Sequence, residues 1–278
     1  MTLEKRPPSP TEIKTAYWAR MALSVRQGLA MHLVSEQMTK TPGTQERPWR
    51  NVTEHCLVEV ARAEVLGEWL RLPKDLIMDI KLGAVLHDFS KRQEITVTRK
   101  ANQNNDSPLD AVKVVQTKSD EMLITAGFNN RVRRLASASG GYAPQLVEAQ
   151  RILDQSTLSN DDLAYLIVHY VDDCSIGADW VKSSQVDNHG KRINIIDYRT
   201  QGDKSKSDYR LIDQEIAVEL ANHPKLGGMN PHNAMAIVSR QIEERIAEHI
   251  IQRTGEDIDP LRIPELVDEK IRTAIVGG

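Results

Sequence analysis

Aromatic residues are scarce in this chain: Phe, Trp and Tyr together make up 4% of 278 residues, with only two Phe. Alternating β-branched runs are scarce as well, which argues against a sheet protein. Cysteine is nearly absent. Cys56 and Cys174 both lie in apolar helical patterns and no Cys-x-x-Cys occurs, so a disulfide scaffold is not expected and both should be buried free thiols. No uncharged apolar run approaches the ~18 residues of a membrane span. The first ten residues are polar and proline-rich, without the apolar core of a secretory signal. A cytoplasmic protein is the expectation. The formal charge of −3 gives no bulk attraction for nucleic acid or an anionic membrane.

What is abundant is small aliphatic side chains and charge, with 40% hydrophobic and 27% charged residues. That balance favours an all-α fold, and the length is ample for a large core. Ser9-Pro10-Thr11-Glu12 supplies helix-start chemistry, and the spacing predicts a helix from there to about Met38. Residues 1–48 therefore read as a tail and a helical extension. Further helices are expected over 52–71, 75–91, 108–125, 129–138, 144–152 and 159–176. Residues 100–108 read as a loop, and 182–208 as a long polar loop. Helices over 209–222, 231–254 and 264–275 should pack on the core, completing a C-terminal region of 181–278.

The helix predicted over 75–91 carries His87 and Asp88 in an apolar setting. Burying an imidazole and a carboxylate is costly unless something compensates. A metal ion is the usual compensation when further ligands can be found. His55 lies on the preceding helix, and Asp172 with Asp173 on a later one. Two imidazoles and two carboxylates suit one divalent ion among Mn, Fe, Zn, Ni, Co and Mg. Four protein ligands would leave an octahedral ion two positions for water and substrate.

The order His55, His87-Asp88, Asp172 resembles the HD-domain superfamily of metal-dependent phosphohydrolases. Asn51-Val-Thr-Glu-His55-Cys-Leu-Val-Glu-Val-Ala-Arg-Ala is similar to that family's first helix. Leu82-Gly-Ala-Val-Leu-His87-Asp88-Phe-Ser-Lys91 is similar to its second, and Ile167-Val-His-Tyr-Val-Asp172-Asp-Cys-Ser to the late helix bearing the last ligand. The resemblance implies an HD-domain-like helical bundle over 49–180, with extra N- and C-terminal helices. It implies metal ligands His55, His87, Asp88 and Asp172, with Asp172 fitting the late motif better than Asp173. His169 could support the last ligand. Many two-metal members carry histidines between the His-Asp pair and the last Asp. Residues 89–168 here contain none, which favours a mononuclear site.

The implied activity is hydrolysis of a small phosphorylated molecule, a nucleotide foremost, with Asp88 and Lys91 as catalytic residues and Arg50, Lys91 and Arg92 binding the substrate. Two other classes stay open. One is a weakly active or inactive HD-like module that binds a nucleotide and regulates a partner. The other is a metal-dependent nuclease, against which the acidic balance and the lack of an extended basic stripe argue. Homo-oligomerisation stays open too.

Overall fold

The computed structural model describes residues 50–176, 179–180 and 207–276. The N-terminal extension with its expected helix over 11–38, and nearly all of the polar stretch 182–208, lie outside the described residues. The described chain is all-helical: α1 (Arg50–Trp69), α2 (Lys74–Leu86), α3 (Lys91–Asn104), α4 (Pro108–Thr125), α5 (Asn130–Ala136), α6 (Ala143–Leu153), α7 (Asn160–Asp173), α8 (Ser207–Leu220), α9 (Pro231–Thr254) and α10 (Ile263–Val276). A 3-10 turn, Pro260–Arg262, precedes α10. The one β element is a pair of antiparallel two-residue strands, Ser175–Ile176 and Asp179–Trp180.

Helix α7 is the axis of the bundle. Every residue from Leu163 to Val171 is buried, so the helix is covered on all sides. It packs against α1, α2, α5, α6 and α9. Its start is fixed by a reciprocal cap. The Ser159 hydroxyl accepts from Asp162 N at 3.1 Å, and the Asp162 carboxylate accepts from Ser159 N at 3.0 Å. The short connection Leu70–Pro73 folds α2 back along α1, and these two make the most extensive helix pair. The C-terminal helices join the same core: α9 covers α6 and α7, and α10 covers α1. Arg62 of α1 reaches both Asp268 of α10, at 3.3 Å, and Ser175, at 2.9 Å. No described helix is long and apolar enough to cross a membrane.

The sequence predicted one helix through Lys91. The structure ends α2 at Leu86, turns through 87–90 and starts α3 at Lys91, so His87 caps one helix and Asp88 lies in the turn. Helix α3 itself was expected as polar chain passing into a loop. It forms because its buried face is polar but helically spaced: Glu94, Thr98 and Ala101 follow at steps of four and three. Asn105, left-handed at φ 59°, ends it.

Gly83 lets α2 come close to α5. A Cβ at that position would lie 2.6 Å from the Leu135 Cβ and 3.1 Å from the Leu135 backbone carbon. Backbone on the far side cannot swing away. Gly83→Ala is expected to destabilise the protein by about 1–3 kcal/mol through overpacking. Thermal unfolding should show the midpoint falling by several degrees. An unchanged midpoint would show that α5 can retreat at no cost.

Candidate metal centre

His55 lies in the second turn of α1, with Glu59 one turn later on the same face. His87 caps α2, and Asp172 ends α7. Packing of the three helices brings these four side chains to one point. Each offers one ligand atom, and the four atoms lie within 4.8 Å of one another. Ligand bonds near 2.1 Å require donors roughly 3–4 Å apart around a tetrahedral or octahedral ion. The spacing fits a single cation.

His55 Nε2 stands 2.6 Å from Glu59 Oε1 and 3.3 Å from Asp172 Oδ1. His87 Nε2 stands 3.5 Å from the same Asp172 oxygen and 3.7 Å from Asp88 Oδ2. The two rings meet edge to face, with centroids 5.7 Å apart. His87 Nδ1 donates to the Ala84 carbonyl at 2.8 Å, with Glu59 Oε2 at 3.2 Å on the same side. A carbonyl accepts only from an N–H, so the proton belongs on Nδ1 and the Nε2 lone pair faces the carboxylates.

Glu59 is fully buried. Neither of its oxygens has a hydrogen-bond partner among the described residues, and nor does His87 Nε2. His55 Nε2, 2.6 Å from Oε1, is the nearest charged neighbour of this carboxylate. Orphaned buried lone pairs cost of order 1–3 kcal/mol each, more where charge is involved. One cation at their convergence would satisfy all of them, so the residues present fit a metal.

The electrostatics agree. Burial alone would lower the His55 pKa, but the carboxylates of Glu59 and Asp172 override it and hold it well above its usual value. His87 is raised in the same way, chiefly by Glu59. Burial would raise Asp172, but the two imidazoles hold its carboxyl well below the ordinary range. The carboxylates therefore favour positive charge at this point, whether on an imidazole or on a bound cation.

A cleft of about 110 Å³ opens beside this point, with His87, Asp88 and Asp172 on its floor. Lys91 stands at its edge, 3.3 Å from Asp88 Oδ1, with 37% of its side chain exposed. Of the residues expected from the sequence, His55, His87 and Asp172 converge. Asp88 lies beside them, between His87 and Lys91. Asp172 faces the imidazoles, whereas Asp173 turns away towards His169, 3.0 Å, and Ser239, 3.3 Å. His169 is fully buried and donates Nδ1–H to the Ala138 carbonyl at 2.7 Å. Arg92 is buried and does not line the cleft, because one residue past Lys91 is about 100° around the helix. Arg50 opens α1, but its side chain lies outside the described residues. Sequence reasoning missed Glu59. Its signal was the step of four from His55 on a face otherwise made of Cys56, Val60 and Ala63.

Protein purified without chelator is expected to carry about one divalent metal per chain by elemental analysis. His87→Ala should remove it, and Glu59→Gln should weaken binding by roughly 10–100-fold, the effect typical of ligands and their immediate partners. Full metal content in His87→Ala would refute the centre. Because the imidazoles must shed protons to bind, apparent affinity should fall as pH drops from about 8 to about 6, with proton release on binding. Titration calorimetry in buffers of different ionisation enthalpy reads this directly.

Compared with protein-family models, curated proteins and solved structures, the chain shows no match, and the centre is read from its own residues.

Proposed function

We propose that the protein is a metal-dependent phosphohydrolase of the HD type. Its substrate would be a small phosphorylated molecule, and nucleotides are the first class to test. The observation that carries this reading is the convergence of His55, Glu59, His87 and Asp172 beside a cleft that His87, Asp88 and Asp172 line and the partly exposed Lys91 edges. The ligands themselves would be His55, His87 and Asp172, with Asp88 or Glu59 completing the set. When bound, a divalent ion supplies Lewis acidity, activating water and polarising a phosphoryl oxygen.

The chain's own residues divide the remaining work. Lys91 stays charged, because Asp88 beside it pushes its ammonium well above the usual value. It can therefore neutralise a phosphate at the cleft mouth. Burial would raise the Asp88 carboxyl, but Lys91 and His87 hold it below its ordinary range. A carboxylate kept ionised is a weak base but a firm hydrogen-bond acceptor. It suits orienting an attacking water more than storing its proton. His55 and His87, with their raised proton affinity, keep the two carboxylates compensated until metal arrives.

Metal-loaded protein should release inorganic phosphate from members of a nucleotide and phosphoester panel. Asp88→Asn should lower kcat by roughly 10²–10⁴-fold, the usual contribution of a positioned acid or base. Lys91→Ala should act mainly on KM. Absence of phosphate release across the panel, from folded protein with one metal per chain, would overturn the hydrolase reading. Cleavage of single-stranded DNA or RNA in its place would mark a nuclease.

A further inference from the structure

The walls of the cleft say what the phosphate is attached to. The volume of about 110 Å³ is smaller than the cavity of about 150 Å³ that encloses one benzene. The cleft is open on one side, so a phosphate with a few attached carbons and hydroxyls fills it and the rest of a larger ligand would lie outside. The ring chemistry agrees. The aromatic side chains on the walls are Phe89, which is buried in the core, and Tyr142, whose hydroxyl is turned to Glu94 at 3.4 Å. The buried Phe89 offers no open face for base stacking.

Two buried acceptors on the walls have little to bond. Glu94 is buried to 9% exposure, and its carboxyl has that long Tyr142 contact as its one hydrogen bond among the described residues. Gln145 Oε1 is buried without a hydrogen-bond partner. Arg133 on the same wall donates to Asp120 through one guanidinium nitrogen at 2.7 and 2.8 Å and to Asn130 through the other at 3.1 Å, and its buried Nε has no hydrogen-bond partner among the described residues. Lys91 remains at the metal end. Lys91 beside the metal centre and the acceptors Glu94 and Gln145 call for a ligand with an anionic end and O–H donors.

We infer that this cleft is a hydroxyl-recognising subsite, and that the substrate is the phosphomonoester of a small polyhydroxylated alcohol. In a sugar or polyol phosphate, the hydroxyls would donate to Glu94 and Gln145 while the phosphate meets Lys91. Tyr142 holds the Glu94 carboxyl towards the cleft. A nucleotide would be taken by its sugar phosphate, with its base in solvent. This inference rests on the phosphohydrolase reading for turnover, but the binding it requires does not.

The test compares ribose 5-phosphate, glycerol 3-phosphate and n-propyl phosphate on the full-length, manganese-loaded protein. The wild type should prefer the first two over propyl phosphate by at least about ten-fold in kcat/KM, because a site built to bond a hydroxyl rejects the analogue lacking it. Glu94→Gln and Gln145→Leu should each remove most of that preference. The rates on the two polyol esters should fall much more than the rate on propyl phosphate. Equal rates on all three esters, or a preference that survives both variants, overturns the inference. If no ester turns over, the hydrolase reading fails separately. Calorimetry then decides the subsite: ribose 5-phosphate must bind at least about ten-fold tighter than inorganic phosphate, and lose that advantage in Glu94→Gln. Equal affinity overturns it. Rates set by the identity of the base, compared between purine and pyrimidine monophosphates, would overturn it as well.

Discussion

The structure is organised around a carboxylate buried between two imidazoles. Glu59 is fully enclosed where α1, α2 and α7 cross, with His55 and His87 on either side and Asp172 completing the group. Around it the three helices are apolar. A carboxylate there is tolerable only if positive charge stays within contact distance. Protonated imidazoles provide that charge without metal, and a cation would provide it when bound. Either way, the three helices must meet in one register for the charges to cancel. The apolar core therefore has a second task besides stability, which is to hold donors on separate helices within a few ångströms.

Two local features of α2 serve that task. Gly83 brings the helix close to α5, so that its last turn lies deep in the bundle. One turn later the helix stops, and His87 Nδ1 bonds back to the Ala84 carbonyl. That bond fixes the ring and leaves Nε2 for the centre. The turn at 87–90 then sends Asp88 towards the cleft and starts α3 as its wall. Adjacent residues thus acquire different surroundings, His87 packed inside and Asp88 in the cleft against Lys91. A continuous helix through Lys91, as the apolar pattern suggested, would not bring Glu94 round to the cleft.

Punctuation decided which helices were legible in the sequence. The bounds read for α4 and α9 match the structure because Ser107-Pro108, Asn230-Pro231 and Gly255 carry capping chemistry that means the same in any context. Helix α3 was illegible because its inward face is Glu94, Thr98 and Ala101, and hydrophobic periodicity cannot see a polar face that is buried. The same blindness hid Glu59. A glutamate on an amphipathic helix normally points to water, and only the folded bundle shows that this one does not. His87 was legible since it stands in a run too apolar for a solvated residue, and His55 and Asp172 through the order His55, His87-Asp88, Asp172. Arg92 was misjudged because adjacency to Lys91 in sequence is not adjacency on a helix.

The choice between Asp172 and Asp173 shows what apolar packing alone leaves open. Helix α7 is hydrophobic on every side, so rotating it by one residue, about 100°, would still bury apolar surface. Such a rotation would carry Asp172 away from the imidazoles. What distinguishes one rotation from another is a set of polar contacts on the far side of the helix. Tyr170 donates to Glu243 of α9 at 2.7 Å, Ser239 of α9 donates to Asp173, and His169 spans Asp173 and the Ala138 carbonyl. Each of these groups is costly to bury unpaired, and the partners exist at one rotation only. Their charged contacts lie within the chain, although His169 Nε2 and Asp173 Oδ1 lack a hydrogen-bond partner among the described residues, and no candidate cation site forms among them there. The second polar cluster therefore acts on the first through the helix they share, by setting which face of α7 the imidazoles meet.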